Sequence, residues 1–235
     1  MTAFGDESTA VRFKQLEDEL TRRRDAVTCA FLQMLDLRDF ETGIHCTRLA
    51  EWALRIAERM SVADDKLADI ETAALLHDLG KVGIADAILH KAGPLNEAEI
   101  VELRRHSEYG WLILRAIPGF ESVALYTLHH HERIDGLGYP AGIAGDEIPI
   151  GARIVAVIDA FDAMVSERCY RSAVPVDEAL RRLHEGAGTQ FDAAIVREFA
   201  LIADAELFVV QSAVADGRTG GADVLRTAPR LLQKQ

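Results

Sequence analysis

The segment LLHDLGKVG, residues 75–83, decides the fold and contains the first candidate site residues. The apolar run AALL, residues 73–76, predicts the buried end of a helix, and Gly80 is a residue type that commonly ends one. A buried carboxylate without a counter-charge is costly, so Asp78 needs a cation nearby. The side chains of His77 and Asp78 diverge by about 100° on a helix. They can still converge on a cation at the helix end, or bind two neighbouring cations.

The rest of the chain has the apolar periodicity of helices and almost no strand alternation. The sequence predicts helices at residues 10–38, 42–60, 64–79, 96–116, 120–131, 150–166 and 175–185. Asn96 and Glu99 have the spacing of a capping box at the start of one of these helices. The segment DGLGYPAGIAGDEIP, residues 135–149, is predicted to be a loop. We therefore expect an all-α bundle with a long N-terminal helix.

The leading helix allows two interpretations. Its apolar residues recur at roughly helical spacing, and Arg22, Arg23 and Arg24 are expected on the solvated side. The apolar positions are Phe13, Leu16, Leu20, Val27, Phe31, Met34 and Leu35. This face either covers the core of the same chain or pairs with a second chain.

Composition and charge exclude several classes of function. The chain has 235 residues, enough for one sizeable domain, and its net charge of −12 disfavours binding to duplex nucleic acid or to an anionic membrane. No apolar run has the length of a membrane span, and the N-terminus does not resemble a signal peptide. Cys29, Cys46 and Cys169 form no CxxC pair. These features predict a cytoplasmic protein without membrane insertion.

Histidines and carboxylates suited to metal binding occur on several of the predicted helices. Glu41 and His45 are four residues apart and therefore share a helix face. The full candidate ligand set is Glu41, His45, His77, Asp78, His106, His130, His131 and Asp159. Such mixed ligands, contributed by separate helices of a bundle, build di-metal carboxylate sites. Nitrogen and oxygen ligands without sulfur suit iron or manganese.

Each candidate also has an ordinary structural alternative. The triplet at residues 129–131 could be a solvated surface tract or the remnant of a purification tag. His106 alone could be a surface or core histidine, and Asp159 alone could pair with an arginine. Glu41 alone could be an acid that favours the start of a helix. The complete set, rather than any single member, favours a metal site.

Two motifs carry a family resemblance. HDLGK, residues 77–81, resembles the signature of the HD phosphohydrolase superfamily, and HHERIDGLGYP, residues 130–140, narrows the resemblance to the HD-GYP family. The similarity continues through GIADAIL, EIPIGARIVAVIDAFDAM, RCYRSA and GTQFD. It implies an HD-superfamily helical bundle. The expected division is a signalling or dimerisation helix at residues 1–37, a catalytic domain at residues 38–205 and a partly flexible extension at residues 206–235. It also implies a metal-dependent phosphodiesterase that hydrolyses the bacterial second messenger cyclic di-GMP to pGpG and often GMP.

The resemblance extends to individual residues. It implies that the eight candidate ligands hold two or three divalent metals, with Asp78 as a bridge, and that Glu41 indicates the three-metal type. Asp78 and Lys81 are expected to be catalytic, although Lys81 alone could be a solvated lysine. The implied substrate-binding residues are Lys81, Gly138, Tyr139, Pro140, Arg168 and Arg171. Departures from the family pattern are Leu137, Cys169 and Ala193, none of which is a ligand.

Three functions stay open from the sequence. The first is hydrolysis of cyclic di-GMP, in which two cations activate a water that attacks phosphorus in line. The second is hydrolysis of another nucleotide or cyclic dinucleotide. The third is a low-activity binding module whose GYP loop, DGLGYP at residues 135–140, docks a diguanylate cyclase-type protein, although this loop could also be a simple connector.

His129 is expected to be dispensable for metal binding, and Glu132 is expected to orient a neighbouring residue.

Overall fold

This computed structural model describes residues 4–38, 43–166 and 173–215, and the regular structure in these residues is helical. Side chains are described for residues 11–37, 46–166 and 173–204. The helices are α1 Phe4–Arg38, α2 Gly43–Arg59, α3 Asp64–Leu76, α4 Asp86–Leu89, α5 Glu97–Arg104, α6 His106–Leu114, α7 Glu121–His129, α8 Ile150–Val165, α9 Val176–Gly186 and α10 Ala193–Ala215. Two 3-10 turns cover Leu79–Gly83 and Gly145–Glu147. The described residues contain no strand, which confirms the all-α prediction.

The core lies where α2, α3, α7 and α8 pack on one another. Helix α8 is apolar over most of its length, and it buries Ile154, Val155 and Ile158 completely. Helices α9 and α10 pack on α8, and α10 also packs on α2. Trp52 of α2, Phe161 of α8 and Phe199 of α10 meet edge to face, with ring centroids 4.8 to 5.5 Å apart. Such aromatic pairs add about 0.5–1.5 kcal/mol each beyond their buried area.

Two predicted helices differ from the structure in ways that matter for the site. The helix predicted at residues 64–79 ends at Leu76, and the tight turn Leu79–Gly83 follows it. The helix predicted at residues 96–116 is divided at Arg105 into α5 and α6. The predicted capping box of α5 is confirmed, because Asn96 and Glu99 exchange hydrogen bonds of 2.9 and 2.8 Å. Helix α10 was not predicted.

Helix α1 docks on the bundle through its second half. The Arg24 guanidinium lies 2.7 Å from the Asp69 carboxylate, donates to the Thr72 hydroxyl at 2.9 Å, and lies over the Phe120 ring. The prediction that Arg24 faces solvent is therefore wrong: its side chain is only 23% exposed. In the first half, Phe13, Leu16 and Leu20 are 55–65% exposed. The second half covers the core of this chain, and the first half leaves an apolar surface uncovered by the described residues.

None of the described helices is both long enough and apolar enough to cross a membrane. The predicted C-terminal extension begins within α10, which continues to Ala215, and residues 216–235 lie outside the described part of the chain. Cys169 also lies outside it.

Candidate active site

One cavity of about 820 Å³ opens beside the ends of α3, α5 and α7, which is a volume typical of small-molecule sites. Its polar side is lined by Asp78, Lys81, His106, His131, Tyr139 and Asp159. Its apolar side is lined by Ile88, Leu89, Pro94, Leu95, Ile100 and Leu103. Lys91 and Arg104 also line it. The cavity therefore joins a cluster of ionisable groups to an apolar surface.

Three buried histidines share one local geometry. In each, ring atom Nδ1 lies within hydrogen-bonding distance of the carbonyl oxygen three residues earlier: His77 to Ala74 at 2.9 Å, His106 to Leu103 at 2.7 Å and His130 to Thr127 at 2.6 Å. The last carbonyls of a helix have no partner within that helix, so they are available as acceptors. In a neutral imidazole, an Nδ1–H that donates to such a carbonyl leaves Nε2 as the unprotonated atom, which is the arrangement of metal-binding histidines.

The Nε2 atoms converge on one point. His106 Nε2 lies 3.4 Å from His130 Nε2 and 3.2 Å from His131 Nε2. The nitrogen atoms of these three histidines all lie within 4.8 Å of one another, which makes them a candidate metal site. Lone pairs that face each other at this distance repel, and a cation between them converts the repulsion into coordination.

Asp78 lies between this histidine trio and a second group of ligands. Its Oδ1 is 3.4 Å from His106 Nε2, and its Oδ2 is 3.3 Å from His77 Nε2. The Asp159 carboxylate is 3.8 Å from the same His77 nitrogen. Lys81 Nζ approaches Asp78 Oδ2 to 2.9 Å. One carboxylate thus faces two groups of ligands and one fixed positive charge.

Electrostatics hold most of these groups in the form that binds metal. Burial lowers the pKa of His131 to about 3, and burial with the neighbouring histidines holds the pKa of His130 well below its usual range. Burial also opposes charge on His77, but the Asp78 and Asp159 carboxylates outweigh it and raise the pKa of His77 to about 9. Although burial acts to raise the pKa of Asp78, Lys81 and His77 hold it well below its usual value. Near pH 7, His130 and His131 are therefore neutral and Asp78 is ionised.

The GYP loop packs directly against the histidine trio. The Tyr139 ring stacks on the His131 ring with centroids 4.8 Å apart, and the Tyr139 N–H donates to the His131 carbonyl at 3.2 Å. A Cβ at Gly138 would lie 2.4 Å from Arg133 N and 2.5 Å from Glu132 Cα. Only glycine fits this close approach of two backbone segments. The loop therefore contacts a candidate ligand and is more than a connector.

Glu132 holds the far end of this loop. Its carboxylate is fully buried and accepts hydrogen bonds from the N–H groups of Ala141 at 2.7 Å and Gly142 at 3.1 Å. His129 Nδ1 lies 3.5 Å from the same carboxylate. The sequence suggested that Glu132 orients a neighbour, and the structure identifies the neighbour as the segment that follows Pro140.

The structure brings together six of the eight predicted ligands: His77, Asp78, His106, His130, His131 and Asp159. Glu41, Arg168 and Arg171 lie outside the described residues, and so does the side chain of His45 in α2. Lys81 and Tyr139 line the cavity, and their catalytic and substrate-binding roles stay predictions. Sequence reasoning missed Arg104 and the apolar lining from α4 to α5. No local pattern marks these residues, because the bend at Arg105 and the Leu79–Gly83 turn bring them to the site.

Comparisons with known proteins agree with this geometry. A family profile described as HD domain matches residues 30–195. The chain is 39% identical over 168 residues to 3'3'-cGAMP-specific phosphodiesterase 3 of Vibrio cholerae, covering 72% of this chain and 36% of the relative. It is 42% identical over 171 residues to a cyclic di-GMP phosphodiesterase of Thermotoga maritima, covering 72% of this chain and 46% of the relative. The chain thus spans less than half the length of these curated relatives.

A solved structure shares the fold. The crystal structure of a cyclic GMP-AMP specific phosphodiesterase from V. cholerae superposes with a TM-score of 0.63 and 18% identity, covering 86% of this chain and 52% of that one. At this identity the superposition speaks for the fold alone. The matched profile and relatives show that the chain belongs to the HD domain family, and to the HD-GYP group within it.

Proposed function

We propose that this chain is a metal-dependent phosphodiesterase that hydrolyses cyclic di-GMP to pGpG, or onward to GMP. The observation that carries this proposal is the convergence of the Nε2 atoms of His106, His130 and His131 beside Asp78 and Lys81, at the wall of an 820 Å³ cavity. The names of the curated relatives support a cyclic dinucleotide as the substrate class.

The proposed metal ligands are the described six together with Glu41 and His45. His77 and Asp159 would hold one ion and the histidine trio a second, with Asp78 shared between them. A third ion would need Glu41 and His45. The nitrogen and oxygen donor set suits iron or manganese. Bound ions would polarise the scissile phosphate and lower the pKa of the attacking water.

The remaining roles belong to side chains of this chain. Lys81 has its ammonium 2.9 Å from Asp78, so it carries a positive charge to the place where the scissile phosphate would bind. Tyr139 fixes the plane of the His131 ring through their stacked contact. Gly138 and Pro140 shape that loop, and Arg168 and Arg171 are proposed to bind phosphate or a guanine edge.

The test is metal analysis of anaerobically purified protein, followed by chromatography of the products formed from cyclic di-GMP. His77→Ala and Asp78→Ala should lose metal and activity and keep their helical content. His184→Ala is the matched control, because its Nδ1 also bonds a helix carbonyl, at 2.9 Å, on an exposed face. Hydrolysis of cyclic di-GMP by Asp78→Ala at the wild-type rate would overturn the proposal.

A second candidate substrate is a mixed cyclic dinucleotide, which is favoured by the name of the V. cholerae relative. The same assay with 3'3'-cGAMP beside cyclic di-GMP separates the two, because the true substrate has the higher kcat/KM. A non-catalytic metal-binding module would load metal and turn over neither compound. The cytoplasmic location stays a prediction.

We also propose that the exposed half of α1 pairs with a second copy of the chain as a parallel coiled coil. In this half, Phe13, Leu16 and Leu20 follow the alternating three- and four-residue spacing of a heptad seam, and they are 55–65% exposed. In this register Arg12 faces Glu17 of the second copy, which is an attractive pair. Leu20→Glu should shift the mass measured by light scattering to that of a monomer. Gln15→Glu, which adds the same charge outside the seam, should not.

A diguanylate cyclase-type partner is proposed to dock on the GYP loop, where Leu137 is 78% exposed. Leu137→Ser should weaken co-purification of a purified cyclase and leave metal content unchanged. Equal retention by both proteins would contradict the docking.

A further inference from the structure

Two adjacent arginines, Arg104 and Arg105, each lie over a tyrosine ring, but only one of them faces the cavity. Arg105 lies 4.8 Å above Tyr109 and forms an ion pair with Glu102 at 3.1 Å. Arg104 lies 5.0 Å above Tyr139 and lines the cavity. Among the described side chains, no carboxylate forms an ion pair with Arg104.

Arg104 continues a stack that starts at the histidine trio. The His131 and Tyr139 rings are 4.8 Å apart, and the guanidinium lies 5.0 Å beyond Tyr139, so Arg104 is within about 10 Å of the imidazole. A contact with an aromatic ring does not use the N–H donors of a guanidinium, and among the described side chains no carboxylate pairs with those of Arg104. Those donors are available to a ligand in the cavity.

The other cations of the cavity are already engaged. Lys81 contacts Asp78 at 2.9 Å, and Lys91 contacts both oxygens of Glu99 at 2.6 and 2.8 Å. The chain carries a net charge of −12, which repels an anionic ligand unless local cations offset it. A cyclic dinucleotide carries two phosphates, of which only one is at the reacting centre at a time.

We propose that Arg104, held on Tyr139, forms a second phosphate subsite that binds the phosphate of the cyclic dinucleotide that is not being cleaved. This inference rests on the proposed function and adds a contact to it. Guanidinium and phosphate form paired, charge-assisted hydrogen bonds. The apolar lining at Leu95, Ile100 and Leu103 then lies beside the substrate and covers the face of a base.

The test compares a substrate with two phosphates to one with a single phosphate. Arg104→Met should raise KM for cyclic di-GMP about tenfold to a hundredfold, which is the range expected for charge-assisted hydrogen bonds, and change kcat less than about threefold. Kinetics with bis(4-nitrophenyl) phosphate should be unchanged, because this diester has no second phosphate. Arg104→Lys should give an intermediate KM, since lysine keeps the charge and loses the paired geometry.

Arg105→Met is the matched control and should leave both substrates unaffected. An unchanged KM for cyclic di-GMP in Arg104→Met would overturn the subsite. An equal loss with both substrates would also overturn it, because Arg104 would then act through Tyr139 and His131. If the wild-type protein cleaves only bis(4-nitrophenyl) phosphate, the proposed function fails instead. Calorimetry of cyclic di-GMP with metal-free protein then decides the subsite: Arg104→Met must weaken binding and Arg105→Met must not.

Discussion

Gly80 is the position at which one added methyl group should disable the proposed metal centre. It lies in the Leu79–Gly83 turn, where that turn crosses α6. A Cβ at Gly80 would lie 1.7 Å from the His106 carbonyl oxygen and 2.5 Å from Gly110 N. Both atoms belong to the backbone and cannot rotate away, and real Cβ atoms essentially never approach closer than 3.0 Å. The turn and α6 must therefore move apart by more than about 1 Å.

That displacement exceeds what metal coordination tolerates. Asp78 and Lys81 move with the turn, whereas His106 moves with α6. Ligand distances hold within about 0.2 Å, and a misplacement of about 1 Å can cost about a hundredfold in rate. We expect Gly80→Ala to lose metal affinity and at least about a hundredfold in kcat/KM. Overpacking of this kind should also lower the free energy of unfolding by about 1–3 kcal/mol, which leaves the helical fold intact.

Three measurements test this expectation: metal content after reconstitution, kcat/KM with bis(4-nitrophenyl) phosphate, and urea unfolding followed by circular dichroism. Gly186→Ala is the control, because its Cβ would meet a side chain, the Phe191 ring at 2.9 Å, and neither residue lines the cavity. The control should keep its metal. Wild-type metal affinity and activity in Gly80→Ala would refute the reasoning.

Two further predictions concern the pH dependence of metal affinity and the contribution of Glu132 to the free energy of unfolding. Metal affinity should rise about tenfold for each pH unit up to about pH 9. The reason is the raised pKa of His77, because below that pH the metal must displace one proton from this histidine. Calorimetry that shows the same affinity at pH 7 and pH 8.5 would contradict this prediction. Glu132→Gln should lower the free energy of unfolding by about 1–3 kcal/mol, because it replaces a buried carboxylate that accepts from Ala141 and Gly142. Glu108→Gln, at an exposed site, is the control, and equal stability losses in the two variants would count against a role for Glu132 in the loop.

Sequence alone predicts most of the helices and six candidate ligands that lie together in the structure. It does not predict the geometry that brings these six residues together. Residues 96–105 contain no glycine or proline, so periodicity predicts an unbroken helix, whereas the structure divides it at Arg105. At this division His106 turns toward Asp78, and Gly80 and Gly110 allow the turn, α6 and α7 to cross closely. The sequence presented Gly80 as a helix terminator. Its larger role depends on a contact between segments about 25 residues apart, which local propensity does not encode.

Helix α1 shows the same limit at longer range. Periodicity gave its apolar face two interpretations: the second half covers the core of this chain, whereas pairing of the exposed first half with a second chain stays a prediction. Arg24 lies at the boundary between the exposed half and the docked half of α1. Its partners Asp69 and Thr72 lie 45 and 48 residues away in sequence. An arginine in a run of three arginines carries no local sign of such partners, so pattern alone assigns it to solvent.

The GYP loop can now be explained by contacts rather than by resemblance. Gly138 is required because the loop touches the backbone at Glu132, and Tyr139 is positioned there to stack on His131. Glu132 then binds the returning segment, so the residue directly after a candidate ligand holds the loop that packs on that ligand. A substitution in this loop should therefore act first on the orientation of His131, and only through it on the substrate. Arg104, which lies over the Tyr139 ring and lines the cavity, is where the loop also reaches the rest of the cavity.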